Sequence, residues 1–167
     1  MFMSGIHGAP CTAELKKKAR QEWENENPSD WLVLGFTADE RPRHERFSIN
    51  EREEIIPILI DLNLTKNDCF RILLDAGLEL PATYLNGLPN ANCLGCCKAT
   101  SATYWSLIRE KYPDVFAARA EQSRRIGAKL VRLNGTRIFL DELPKGATGR
   151  PLATMNFECG LFCEDGK

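Results

Sequence analysis

Trp31-Leu32-Val33-Leu34-Gly35-Phe36 is a compact apolar run of strand length, set between two polar stretches of the chain. Apolar residues at successive positions suit a buried strand better than a surface one, where every second residue would face water. Working back from it, Leu15, Ala19 and Trp23 recur at i, i+4 and i+8 and predict a helix from Thr12 to Glu24. Working forward, Asp39 to Glu54 is densely charged. Ile55-Ile56-Pro57-Ile58-Leu59-Ile60 then reads as a second strand, which Pro57 confines to an edge or breaks. Thr65-Lys66-Asn67-Asp68 is suited to cap a helix whose apolar face is Cys69, Leu73 and Ala76 and whose end is Gly77.

Pro81 to Ala99 reads as a loop rich in Gly, Pro and Asn. Two helices are expected after it, one around Ala102 to Lys111 presenting Trp105 and Ile108, the next opening at Pro113 and presenting Phe116 and Ala120. Leu130 to Leu140 is a hairpin pattern, with Asn134-Gly135 suited to a type I′ turn. The tail from Pro144 is loop-like. A length of 167 residues is enough for one domain with a real core, and a single α/β domain over 1–167 is the expectation.

The formal charge is −1, so composition gives no sign of a nucleic-acid or membrane partner. The longest apolar run is far too short to span a bilayer, and the first residues lack the basic flank and apolar stretch of a secretory signal. A cytoplasmic protein is expected.

Cysteine is the anomaly. There are seven, Cys11, Cys69, Cys93, Cys96, Cys97, Cys159 and Cys163. An odd number without an export signal argues against a disulfide framework and for thiols that bind metal or react. Cys93-Leu94-Gly95-Cys96 is a Cys-x-x-Cys on a loop, a spacing that lets two thiolates converge on one ion or cluster. Cys159-Gly160-Leu161-Phe162-Cys163 adds a second pair and Cys11 an isolated thiol. A four-ligand site can thus be assembled from three places in the chain. Cys69, on an apolar helix face, reads as a small hydrophobe.

Phe157-Glu158-Cys159-Gly160-Leu161 is similar to the Glu-Cys-Gly-Leu-His signature of phosphoadenylyl-sulfate (PAPS) and adenylyl-sulfate reductases, with Phe162 at the histidine. Cys93-Leu94-Gly95-Cys96 resembles that family's second cluster pair. Cys11-Thr12-Ala13-Glu14-Leu15-Lys16 looks like its Cys-Cys-x-x-Arg-Lys segment, with Thr12 at the second cysteine and Leu15 at the arginine. Gly35 to Arg43 resembles a Gly-x-Arg-x-x-Glu-x-x-Arg segment, with Thr37 at the first arginine. The order of these motifs, from Ala9 to Cys163, also resembles phage-encoded PAPS reductase-like proteins and the sulfur-transfer subunit of DNA phosphorothioation systems.

The resemblance implies an incomplete adenine-nucleotide α-hydrolase-like (PP-loop/HUP-type) domain with helices, a β-hairpin and cysteine-bearing loops. The family's amino-terminal Ser-Gly-Gly-x-Asp-Ser phosphate loop has no counterpart here, which implies a separate nucleotide-binding partner chain or lost activity. The resemblance implies Cys159 as the attacking thiolate, and the competing assignment has Cys159 complete a cluster with Cys11, Cys93 and Cys96. Cys163 has no counterpart in the signature, so it is expected as ligand or resolving thiol, giving Cys11, Cys93, Cys96 and Cys163 as ligands of a 4Fe-4S cluster with zinc as the alternative; Cys97 is a spare ligand. Lys16, Glu40 and Arg43 are implied to contact an anionic substrate; a solvated lysine face and ion pairing within the charged run are the plainer readings. Electrons would come from a thiol carrier such as thioredoxin. The other expectation is a non-catalytic metal-binding module that docks on a partner containing the phosphate loop. His7 and His44 read as surface residues, and Tyr104 and Trp105 as helix packing.

Overall fold

The computed structural model of the chain describes residues 10–91 and 93–154. In chain order its helices are α1 (Pro10–Thr12), α2 (Lys18–Glu26), α3 (Arg41–Asn50), α4 (Ile58–Asp61), α5 (Lys66–Asp75), α6 (Ala82–Leu85), α7 (Ala102–Lys111) and α8 (Pro113–Arg125). The strands are β1 (Leu32–Val33), β2 (Ile55–Ile56), β3 (Val131–Leu133) and β4 (Thr136–Ile138). The class is mixed α/β, as expected. The described residues divide into two compact units, Ala19–Leu80 on the one hand and those up to Lys18 together with those from Pro81 on the other. No helix among the described residues is long and apolar enough to cross a membrane.

In the Ala19–Leu80 unit, β1 and β2 pair in parallel, Leu32 opposite Ile55 and Val33 opposite Ile56, with α3 in the connection between them. The strand expected over Trp31–Phe36 is shorter and less covered than its apolarity suggests. Only two residues pair, Trp31 and Val33 are exposed, and Phe36 alone of the six is buried. Pro57 breaks the second run, because it ends β2 and stands at the start of α4. Phe36, Phe47, Ile55 and Ile60 form the buried apolar set. The α5 cap is as expected: Thr65 accepts from the Asp68 N–H while the Asp68 carboxylate accepts from the Thr65 N–H at 3.0 Å, and Gly77 adopts φ 72°. The α5 face is only partly covered, with Cys69 and Leu73 half-buried and Ala76 exposed.

The other unit is built on α7 and α8. Trp105, Ile108, Val131 and Leu140 are fully buried, with Ala99, Ala102, Leu88, Leu130 and Leu143 around them. Tyr112 ends α7 outside the helical region, at φ −141° and ψ 63°, as a residue before proline avoids the helical conformation, and Pro113 then opens α8. The hairpin forms as read, with Asn134 at φ 49° and Gly135 at φ 81°, both positive as a type I′ turn requires. Ahead of these elements Pro10–Thr12 runs into a π-helical turn, Ala13–Lys17, in which the Lys18 N–H bonds back to the Ala13 carbonyl. The predicted helix is therefore present. Its predicted apolar face is not a core face: Leu15, Ala19 and Trp23 are all exposed.

Candidate thiol centre

The cysteine loop is shaped by one glycine and two aromatic residues. Gly95 sits at φ 63°, and a Cβ there would meet Val115 Cγ1 at 2.9 Å. The left-handed turn and the close approach of α8 both require glycine. That turn delivers the Cys96 N–H to the Tyr104 hydroxyl oxygen, which accepts it at 3.1 Å in a buried setting. The Ala99 N–H closes the turn onto the Cys96 carbonyl at 3.0 Å, and Trp105 Nε1 donates to the Ala99 carbonyl at 2.8 Å. Tyr104 and Trp105 are neighbours at the start of α7, their rings edge-to-face with centroids 5.2 Å apart. Successive side chains of one helix thus clamp both ends of Cys96–Ala99.

Within this clamp Cys96 is buried and Cys97 half-buried, while Cys93 and Cys11 are exposed. The Cys97 side chain hydrogen-bonds to the Cys96 sulfur and brings the Cys96 thiol down from 9.0 to about 6. Backbone hydrogen bonds at Lys98 and Ala99 and the Lys98 charge act in the same direction, against burial. Cys97 is pushed up for the complementary reason, since its proton is engaged by Cys96. Its burial and the charges of Cys96 and Cys11 add to this, and Arg119 opposes it. Burial raises Tyr104 to about 12, so its phenol keeps its proton beside the thiols. The two shifts oppose each other across one hydrogen bond, which favours ionisation at Cys96 and disfavours it at Cys97.

The predicted residues divide clearly. Cys11, from the start of the chain, comes within electrostatic reach of Cys97, so two of the three expected cysteine segments approach one another. Cys159 and Cys163 lie outside the described residues, as does His7. Lys16 is half-buried on the π-helical turn. Glu40 and Arg43 belong to the other unit and pair with each other at 2.5 Å, and Glu40 also caps its own helix by accepting from the Thr37 N–H at 3.3 Å. His44 is half-buried against Phe36 rather than a surface residue, with ring centroids 5.8 Å apart.

Three participants are not identifiable as such from the sequence. Tyr104 reads as packing in sequence, since nothing local shows that its hydroxyl meets a backbone amide eight residues earlier. Cys97 reads as a spare, although its adjacency to Cys96 is the available signal for a hydrogen-bonded pair. Arg119 carries no sequence signal; only the packing of α8 brings it to the loop.

A sulfur-ligated metal fits these residues in part. Hydrogen bonds from backbone amides to a buried thiolate are what a metal-bound cysteine needs, and Cys96 has them. Among the described residues, no group of three or more His, Cys, Asp or Glu side chains is arranged to hold an ion. A complete ligand set would need a donor from beyond these residues, the role expected of Cys163. In comparisons with known proteins, no family model, no curated protein and no solved structure matches this chain.

Proposed function

We propose that the chain is a PAPS reductase-like sulfur-handling protein, built around a thiol centre to which Cys11 and the Cys93–Cys97 loop contribute and which takes an iron–sulfur cluster. The observation that carries this reading is the buried Cys96, held by the Tyr104 hydroxyl at its N–H and hydrogen-bonded at sulfur by Cys97, with Cys11 close enough to act on Cys97. A buried thiolate is costly without compensation. Here four groups compensate it, which is hard to explain as packing alone and simple to explain as a site for a soft ion or an electrophilic sulfur.

In this reading Cys11, Cys93, Cys96 and Cys163 are the ligands, with Cys97 the donor that tunes Cys96, and Cys159 is the attacking thiolate. A bound cluster would supply electrostatic stabilisation and electron-accepting capacity beside the substrate. The chain's own residues do the rest: Tyr104 and Trp105 fix the loop, and Gly95 allows α8 to cover it. The finer fold, an incomplete PP-loop/HUP-type domain, belongs to the same proposal. So do a thioredoxin-like electron donor and a partner chain carrying the phosphate loop.

Anaerobic purification followed by metal analysis and a visible spectrum tests the reading. Brown protein with bound iron and broad absorption supports it. Colourless protein holding stoichiometric zinc favours the non-catalytic module, and protein with neither metal removes the cluster from the account.

A further inference from the structure

We propose that the outward face of the β3–β4 hairpin, carried by Arg132 and Arg137, docks an acidic, extended segment of a partner protein along the outer edge of β4. The proposal goes beyond the thiol-centre reading and does not depend on it.

Strand register carries it. Arg132 lies directly opposite Arg137, while Val131, Leu133 and Ile138 turn to the other face of the hairpin, where Val131 is fully buried. The Arg132 N–H donates away from β4, to the Thr100 carbonyl at 2.8 Å, which makes the two arginines a non-hydrogen-bonded pair. Side chains of such a pair stand closest, with Cα atoms about 4.5 Å apart, and like charges placed there repel. Both arginines are exposed, and among the described residues neither meets a carboxylate. Arg137 Nη1 donates to the Leu130 carbonyl at 2.9 Å. Partial burial, and then the Arg132 charge, lower this guanidinium from its ordinary value. Lys129 adds a third cation, its Nζ 5.5 Å from the ring centre of Phe139, two residues after Arg137.

Other arginines are used differently: Arg20, Arg43, Arg52, Arg71 and Arg124 each meet a carboxylate. Among the described residues no other like charges are set face to face by strand pairing. Guarding an open edge against self-association would explain a charge on β4. It does not explain Arg132, because Thr100 and Ser101 already lie along the outer edge of β3.

Two features choose the occupant. In a non-hydrogen-bonded pair the Arg137 N–H and carbonyl point outward from β4, so the edge offers both a donor and an acceptor. An extended peptide answers both, whereas a phosphate chain has no donor for the carbonyl. The patch also ends at Asp141 and Glu142, held by Arg124 at 2.9 and 2.8 Å, and these carboxylates repel a long polyanion. Acidic side chains at alternate positions of an added strand share one face, about 7 Å apart, and meet the guanidinium forks there.

The test uses the full chain, reduced and treated with chelator, at low ionic strength. It is titrated with a labelled Glu-Val-Glu-Val-Glu-Val-Glu peptide and with Glu-Glu-Glu-Glu-Val-Val-Val, which has the same charge without the alternation. The alternating peptide is expected to bind about threefold tighter or more and to shift the Arg137 amide resonance. Arg132→Glu should weaken it about tenfold and, by turning a repelling pair into an ion pair, raise the denaturation midpoint of the free chain. Arg41→Gln, exposed on α3, should change neither. If Arg132→Glu does not fold, Arg132→Gln decides by the same binding readout. Equal binding of the two peptides, or unchanged affinity in the Arg132 variant, overturns the proposal. Tighter binding of a short oligothymidylate also overturns it, by assigning the face to a phosphate chain. So does a gain in peptide affinity in Glu164→Gln with Asp165→Asn, which would assign the face to the chain's own tail. Failure of the cluster reading would appear separately, in the metal content.

Discussion

The Tyr104 hydroxyl oxygen accepts the backbone N–H of Cys96 at 3.1 Å, from the residue immediately before Trp105, whose indole holds the Ala99 carbonyl. A helix start and a cysteine loop are therefore one structural object. The loop's thiols keep their arrangement only while these two aromatic residues are in place.

Removing the acceptor tests that dependence. Tyr104→Phe keeps the ring and its edge-to-face contact but strands a buried N–H, which costs about 1–3 kcal/mol. Chemical denaturation should show the loss as a lower midpoint. A midpoint identical to wild type would mean that the Cys96 amide finds another partner and that the clamp is not structural.

Gly95→Ala should be worse than its size suggests. It places a Cβ 2.9 Å from Val115 Cγ1 and forces a side chain into a left-handed conformation. The two effects together cost about 2–4 kcal/mol. Val115→Ala in that background should recover the steric part and leave the backbone part. Recovery of all or none of the stability would contradict this division.

The pH dependence has a defined sign. Cys96 gives up its proton more readily folded than unfolded, so its contribution to stability is present above the ordinary thiol value of 9.0 and is lost as pH falls through about 6. Cys97 holds its proton more tightly folded, so its contribution is complete below the ordinary value and is lost as pH rises beyond it. Stability of the metal-free chain should therefore rise between about pH 6 and 9 and decline above. Iodoacetamide reactivity at Cys96 should inflect near 6, and Lys98→Gln should move that inflection upward. An inflection at the ordinary thiol value would show that the hydrogen bond does not favour ionisation at Cys96.

In the other unit, Thr65→Ala removes the hydroxyl that accepts the Asp68 N–H at 3.2 Å. Loss of this cap costs about 1 kcal/mol. Hydrogen exchange should show faster exchange at the first turn of α5, with the amides of α7 unaffected. Equal protection of the first turn in both proteins would remove the cap from the account of α5.

Local chemistry was legible in the sequence, and distant contact was not. The Thr65 cap, the Pro113 start and the Asn134-Gly135 turn each follow from a few adjacent residues whose backbone preferences agree with the fold. Trp31–Phe36 reads as buried because a continuous apolar run normally accompanies burial, yet two of its large side chains face outward. Leu15, Ala19 and Trp23 likewise share a helix face by spacing but are exposed. At the candidate site, spacing identified Cys93 and Cys96 as special. It did not reveal that Cys97 would hydrogen-bond to Cys96, nor that Tyr104 and Arg119 would meet the loop from two helices. Those relationships are set by how α7 and α8 pack, which no single segment encodes.

The central claim is that Cys11 and the Cys96–Cys97 pair share one centre. A short bifunctional thiol reagent applied to the reduced full chain, followed by peptide mapping, measures this directly. The account predicts a product joining the Cys11 peptide to the Cys96–Cys97 peptide within one chain. A product confined to Cys96–Cys97, with Cys11 modified only singly, would contradict it.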